Sequence, residues 1–408
     1  MRFITSSRIR RKFPTFIASM LAKEAPMEEA CAVFFSGRYV GVLKPAEKDL
    51  PITKEYVVSS IAKQRVTRED KDNPFYPMLD TCQLYKHADL ADNPYYKNIK
   101  LGEYRVGNFH TDKVEDVQYE IFQNGIQKVM NVDGIDIYVP NIGVWVDKPE
   151  PFYVLRDNAN NVWMSISFSE INTMKEPIEK AHGRCLVLGC GLGYYTYMIA
   201  RKPEVESITV VENSLDMIAL FNEVILPQFG DLKDKVKIIH SDAFSYLEKV
   251  AEGQYHFCFA DIWRNLWDSY PYFKMKKVCG NTYRGMQMEY WIEDAFIGDI
   301  FVKIRQYITA HFLIEEKMDT DGFVVTELAE LKTKKDNGYT IAEKMLENVV
   351  IRSMEDIQQY FSYENIKKLF LEHYAEYIVD IADNWYDRYR EYQEEAKQTY
   401  LEGQHYAK

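Results

Sequence analysis

Three glycines and three acids carry the spacing that could do chemistry. Gly189, Gly191 and Gly193 fall within five residues, directly after the apolar run of "RCLVLGCGLGYYTY". Glu212, Asp242 and Asp261 follow, each ending or following an apolar run of its own. Glycines let a backbone turn tightly and approach a ligand, because no Cβ intervenes. A carboxylate such as Glu212 can accept hydrogen bonds from both hydroxyls of an adenosine ribose. Asp242 can accept from an exocyclic adenine amine, with the Ala243 backbone beside it. Asp261 would stand where the reacting end of such a ligand lies. Any one of these acids has a plainer reading as a helix cap. Their order after Gly-x-Gly-x-Gly argues for a site.

Those residues need elements that bring them to one edge. Over about 170–325 the chain alternates strand and helix: "RCLVLGC", "SITVVEN", "VKIIHSD" and "YHFCFADIW" read as strands, and "MQMEYWIED" as a fifth. Strands apolar on both faces and joined by helices imply a mostly parallel sheet covered on both sides. Ligands of open α/β sheets bind at the carboxyl ends of the strands, where all these residues fall. The helix "LDMIALFNEVIL" should close at Pro227 and Gly230. The spacing is not the dinucleotide Gly-x-Gly-x-x-Gly, because position 194 is tyrosine. No Gly-Lys-Ser/Thr follows, which excludes a P-loop.

At this point the chain resembles the class I S-adenosylmethionine-dependent methyltransferases. "VLGCGLG", "VVEN", "HSDA" and "FADIW" look like their successive motifs, over about 180–300. The resemblance implies a Rossmann-like, doubly wound sheet and S-adenosylmethionine as cofactor. It implies cofactor contacts from Gly189, Cys190, Gly191, Gly193, Glu212, Asn213, Asp242, Ala243 and Asp261, with Asp261 also the catalytic candidate. Val187 stands where many members carry an acid. That departure, and a β module ahead of the sheet, resemble the spermidine synthase branch. Leu192 and Arg264 replace acids that branch uses for a cationic amine, which argues against polyamine chemistry.

The acceptor is expected along "ADIWRNLWDSYPYF", where Trp263, Trp267 and Tyr270 could line a pocket and Arg264 could pair with a carboxylate. Tyr290 is a further substrate candidate. Packing is the competing reading for these aromatics. His110 is a candidate base or a loop histidine, and His240 a core or edge residue. The leading function is methyl transfer to a small molecule. Aminopropyl or aminocarboxypropyl transfer on the same scaffold, and a non-catalytic binding or scaffold role, stand beside it.

The rest of the chain sets the frame. Its 408 residues carry 47% apolar residues, enough for two or three domains. A net charge of −12 argues against a nucleic-acid partner, and no apolar run is long enough to span a membrane. The six cysteines show no CxxC spacing, so a reduced, cytoplasmic chain without metal is expected. Three zones are expected: 1–170, mixed α+β with an antiparallel β module at about 115–168; 171–325, the cofactor domain; and 326–408, a helical extension. Asp133-Gly134 between apolar runs signals a tight hairpin. Ile366, Leu369, Phe370, Tyr374, Tyr377, Ile378, Ile381 and Trp385 recur at helical spacing. The basic, acid-free first 23 residues read either as a transit peptide or as a solvated or helical terminus. Homodimer formation is left open.

Overall fold

The computed structural model describes residues 1–4, 6–33, 52–114, 119–121, 127–132, 135–139, 142–147, 152–160, 162–266, 268–318 and 336–382. Contacts group the chain into two compact units. One holds Met1–Thr15, Ile262–Asn281 and Ala295–Lys408; the other holds Phe16–Asp261 and Thr282–Asp294. The grouping follows contacts rather than chain order, so the first residues fall in with the C-terminal helices.

The larger unit is built on a six-stranded sheet. Its five parallel core strands are Gly183–Leu188, Val205–Glu212, Val236–His240, Phe257–Ala260 and Met286–Tyr290, first to fifth in chain order. Across the sheet they run third, second, first, fourth, fifth, with Thr282–Tyr283 antiparallel at the fifth strand's edge. Helices connect the parallel strands, and the architecture is Rossmann-like α/β. Cys185, Leu186, Leu188, Val210, Phe257, Cys258 and Ala260 are fully buried, as strands covered on both faces require. The order reverses between the first and fourth strands. Their carboxyl ends therefore diverge into a crevice, and Gly189 and Asp261 are the first residues beyond those ends.

The helix after the second strand differs from expectation. It is α-helical over Leu215–Leu220, widens to a π-turn over Phe221–Ile225, then tightens to 3-10 over Leu226–Lys235. Pro227 sits at the start of that tight segment, where its missing N–H costs nothing. The break comes at Gly230, at φ 60°.

Ahead of the sheet lies more β structure than the segment 115–168 alone suggests. Val162–Ser165, Phe152–Asp157, Phe109–Val114 and Arg105–Val106 form one antiparallel sheet in that order. Cys82–Tyr85, Ile142–Trp145 and Tyr119–Ile121 form a second, mixed sheet, its first pair parallel and its second antiparallel. Gln127–Val132 pairs with Ile135–Val139, with Val132 opposite Ile135. That register is what a two-residue turn at 133–134 demands, although those two residues lie outside the described ones.

The smaller unit is helical, with Asn337–Leu346, Met354–Tyr360 and Tyr363–Tyr377. Of the expected apolar stripe, Ile366, Phe370 and Ile378 are buried; Trp385 lies outside the described residues. The basic N-terminal stretch is helix from Ser7. Arg2–Phe3 adds a parallel strand to Val350–Ile351. Ile9 and Phe13 turn inward, and the Phe13 ring meets Phe312 edge-on at 4.7 Å. Among the described residues, no helix is long and apolar enough to cross a membrane.

Candidate functional site

The first core strand runs straight into the glycine loop. Gly189, Gly191 and Gly193 all take positive φ, at 95°, 45° and 76°. Such angles strain any residue with a Cβ, so the glycines are dictated by the turn before any ligand is considered. Gly193 serves packing, since a Cβ there would come within 2.8 Å of Ile225 Cγ2. Gly191 differs: a Cβ there would meet only the tip of the flexible Met164 side chain.

The loop is held from two sides. The Cys190 N–H donates to Glu212 Oε2 at 3.0 Å, and the Ser214 N–H donates to Glu212 Oε1 at 2.8 Å. On the other side, the fully buried Tyr95 donates its hydroxyl to the Leu192 carbonyl. Tyr95 is carried by the short helix Pro94–Asn98, whose cap residue Asn93 also donates to the Tyr194 hydroxyl at 3.3 Å. The stretch "DNPYYKNIKL" is therefore a brace for the loop. That role has no local signature, because the Tyr95–Leu192 contact spans 97 residues.

The three acids take different positions. Glu212 is half-buried, and its carboxylate spends one acceptor position per oxygen on backbone N–H groups. The Cys190 thiol also hydrogen-bonds this carboxylate, so of the roughly four positions an ionised carboxylate offers, about one stays open. Asn213 is exposed next to it, and its carbonyl lies 3.1 Å from His240 Nε2. Asp242 is exposed and caps the helix Ala243–Leu247, with Oδ1 accepting the Ser245 N–H at 2.9 Å. The plainer cap reading holds for that oxygen, while Ala243 is buried. Asp261 is half-buried, and no described group donates a hydrogen bond to its carboxylate. Burial, then the nearby Glu212 charge, pushes its pKa up to about 7. Burial, reinforced by Glu212, also raises the Cys190 thiol well above its ordinary range, so it is no thiolate nucleophile.

The proposed acceptor residues have other surroundings. Trp263 is 4% exposed, and its ring lies edge-on to Tyr272 at 5.6 Å and Phe296 at 6.0 Å. Tyr272 and Phe296 stack at 4.3 Å. This is the packing arrangement. Arg264 lies 3.1 Å from the Asp268 carboxylate through Nε. Trp267 lies outside the described residues. Tyr290 is buried in the fifth strand opposite Ala260, the residue before Asp261. Beyond it, Trp291 Nε1 donates to Thr173 Oγ1 at 2.9 Å, and the β-branched Ile292 is forced to φ 50°. Strain of that kind collects where a chain aims side chains for a purpose. His110 is not in a loop: it lies in the strand Phe109–Val114 opposite Arg156.

No family model matches the chain, and no curated protein matches it. Solved structures do. A protein assigned as an O-methyltransferase from Klebsiella pneumoniae is 20% identical over 23% of this chain and 42% of its own, at a TM-score of 0.19. The PRMT1 enzyme-prozyme heterotetramer from Trypanosoma brucei, solved with AdoHcy, is 13% identical over 30% of this chain and 38% of its own, at a TM-score of 0.24. The chain spans less than half the length of either.

Proposed function

We propose that the chain binds S-adenosylmethionine at the carboxyl edge of its parallel sheet and transfers the methyl group to a small-molecule acceptor. The observation that carries this is the Glu212 carboxylate. Two backbone N–H groups fix its orientation beside the glycine loop, and the acceptor capacity left on the carboxylate suits a ribose hydroxyl. A cap would have no use for a side chain that ties two strand-end loops together.

The neighbouring residues suit the rest of that ligand. The open Asp242 oxygen and the Ala243 backbone suit an adenine edge. The Asp261 carboxylate, half-buried and without a described donor, suits a cationic amine or an acceptor's departing proton. When bound, the cofactor supplies an activated methyl group, so the chain works chiefly by positioning. Asp261 is the group able to hold a proton near neutral pH, with a pKa where general bases are most effective. The burial of Trp263 turns the expected acceptor wall toward the strained end of the fifth strand, Tyr290 to Ile292.

A second reading, aminopropyl transfer to a polyamine, draws on the same Asp261. Against it, Leu192 is fully buried and Arg264 is a cation already beside Asp268. An ammonium would find one carboxylate where two are needed. Turnover separates the readings. Incubation with putrescine and decarboxylated S-adenosylmethionine should give no spermidine, and efficient turnover at micromolar amine would promote the second reading over the first.

A further inference from the structure

The edge strand Val162–Ser165 meets its neighbour Phe152–Asp157 with an irregularity. Val162 lies opposite Arg156 and Met164 opposite Leu155, leaving Trp163 as an extra residue. A bulge of this kind re-aims the side chains beside it, and bulges gather next to binding sites. Here it aims Met164 at the glycine loop. A Cβ built on Gly191 would come within 2.9 Å of both Met164 Sδ and Met164 Cε. The thioether tip therefore rests on a loop glycine whose open face is not taken by core packing. Both residues are half-buried, so the contact lies at an accessible surface.

We propose that Met164 is a specificity residue for the arm that the ligand carries beyond its ribose, an inference that rests on the function proposed above. The ribose end is fixed by Glu212 and the adenine end lies toward Asp242. The remaining arm then passes over Gly191 toward Asp261, through the space that the Met164 thioether fills. Methionine is unbranched and has several rotatable bonds, so it can withdraw without moving the strand. The site admits a long, sulfur-bearing arm by displacing this side chain, and an armless nucleoside binds without displacing it.

The test compares two ligands on three proteins: S-adenosylhomocysteine, which has the arm, and adenosine, which lacks it. A substitution of Gly191 would be ambiguous, because its φ of 45° strains any replacement. The informative variants are Met164→Ala, which clears the space, and Met164→Phe, which fills it with a stiffer group. Relative to adenosine, S-adenosylhomocysteine should bind about fivefold tighter to Met164→Ala, the scale of a few contacts no longer displaced. It should bind more weakly to Met164→Phe, with adenosine unchanged in both. Should Met164→Phe fail to fold, the ratio in Met164→Ala decides alone. A ratio in Met164→Ala unchanged from that of a wild type that does bind S-adenosylhomocysteine overturns the role of Met164 and leaves the proposed function standing. Absence of binding by either ligand to the wild type overturns both.

Discussion

Glu212 and Cys190 are joined at the carboxyl edge of the sheet: a side-chain oxygen from the end of the second core strand accepts the N–H of the glycine loop at 3.0 Å. The contact makes Glu212 the orienter of the loop, and the proposed function adds the role of acceptor for a ligand's hydroxyl. Glu212→Ala should weaken S-adenosylmethionine and S-adenosylhomocysteine equally, by roughly 1.5–3 kcal/mol, the scale of hydrogen bonds to a charged group. Calorimetry on both ligands checks this. A loss confined to one ligand would mean that Glu212 faces the sulfur rather than the ribose.

Asp261 carries a pH signature. Its pKa in the folded chain is raised to about 7 by burial and by Glu212, against about 3.9 for an unfolded aspartate. The folded state therefore holds the proton more tightly. The stability this provides is complete below pH ~4 and is lost as pH rises through ~7. Asp261→Asn removes the penalty of ionisation and should raise the thermal stability of the ligand-free protein at pH 8, by about 2 kcal/mol after allowance for partial exposure. At pH 4 the two proteins should melt together. A variant no more stable than wild type at pH 8 would show that the carboxylate is solvated or partnered.

The helical unit has its own carboxylate of this kind. Asp299 is pushed up to about 7 by burial and by Asp336, against the opposing pull of Lys303. Lys303 Nζ lies 3.3 Å from Asp336 Oδ2, and a Cβ on Gly338 would strike Asp299 Oδ2 at 2.0 Å. One lysine thus faces two carboxylates at the start of the helix Asn337–Leu346. The sign is the same as for Asp261, so Asp299→Asn should stabilise the chain at pH 8 and not at pH 4. Lys303→Met should lower stability at pH 8, because it leaves two like charges unopposed. Thermal melts at the two pH values give the answer. The opposite ordering at pH 8 would refute the arrangement.

How far the sequence alone carried depends on the range of the interactions. The parallel sheet was legible because apolar runs such as Cys185–Leu188 and Phe257–Ala260 signal burial on both faces locally. The hairpin joining Val132 to Ile135 was legible from its two turn residues. The site acids were legible as a set because each ends or closely follows a strand. What escaped rests on distant contacts: Tyr95 bracing Leu192, Met164 covering Gly191, and the bulge at Trp163. None has a local signature. Trp263 shows the converse case. Its type suggested an acceptor wall, but whether an aromatic packs or binds depends on neighbours such as Phe296 that local sequence does not reveal.

The N-terminal stretch gives a prediction about stability. Phe13 is fully buried against Phe312 and Phe361, and the Arg2–Phe3 strand is paired to Val350–Ile351. Phe13→Ala should destabilise the protein by about 3–5 kcal/mol, as large aromatic truncations in cores do. Exposed Arg11 on the same helix should tolerate alanine within about 0.5 kcal/mol. Denaturant unfolding of the two variants checks the contrast, and equal effects would mean that the helix does not pack as described.

The most direct measurement is a calorimetric titration of the wild-type chain with S-adenosylmethionine and S-adenosylhomocysteine. We expect one molecule of either ligand to bind per chain, and each to raise the thermal midpoint as a ligand of the folded state must. Absence of heat and of any thermal shift with both ligands, in a folded protein, would contradict a cofactor site at the carboxyl edge.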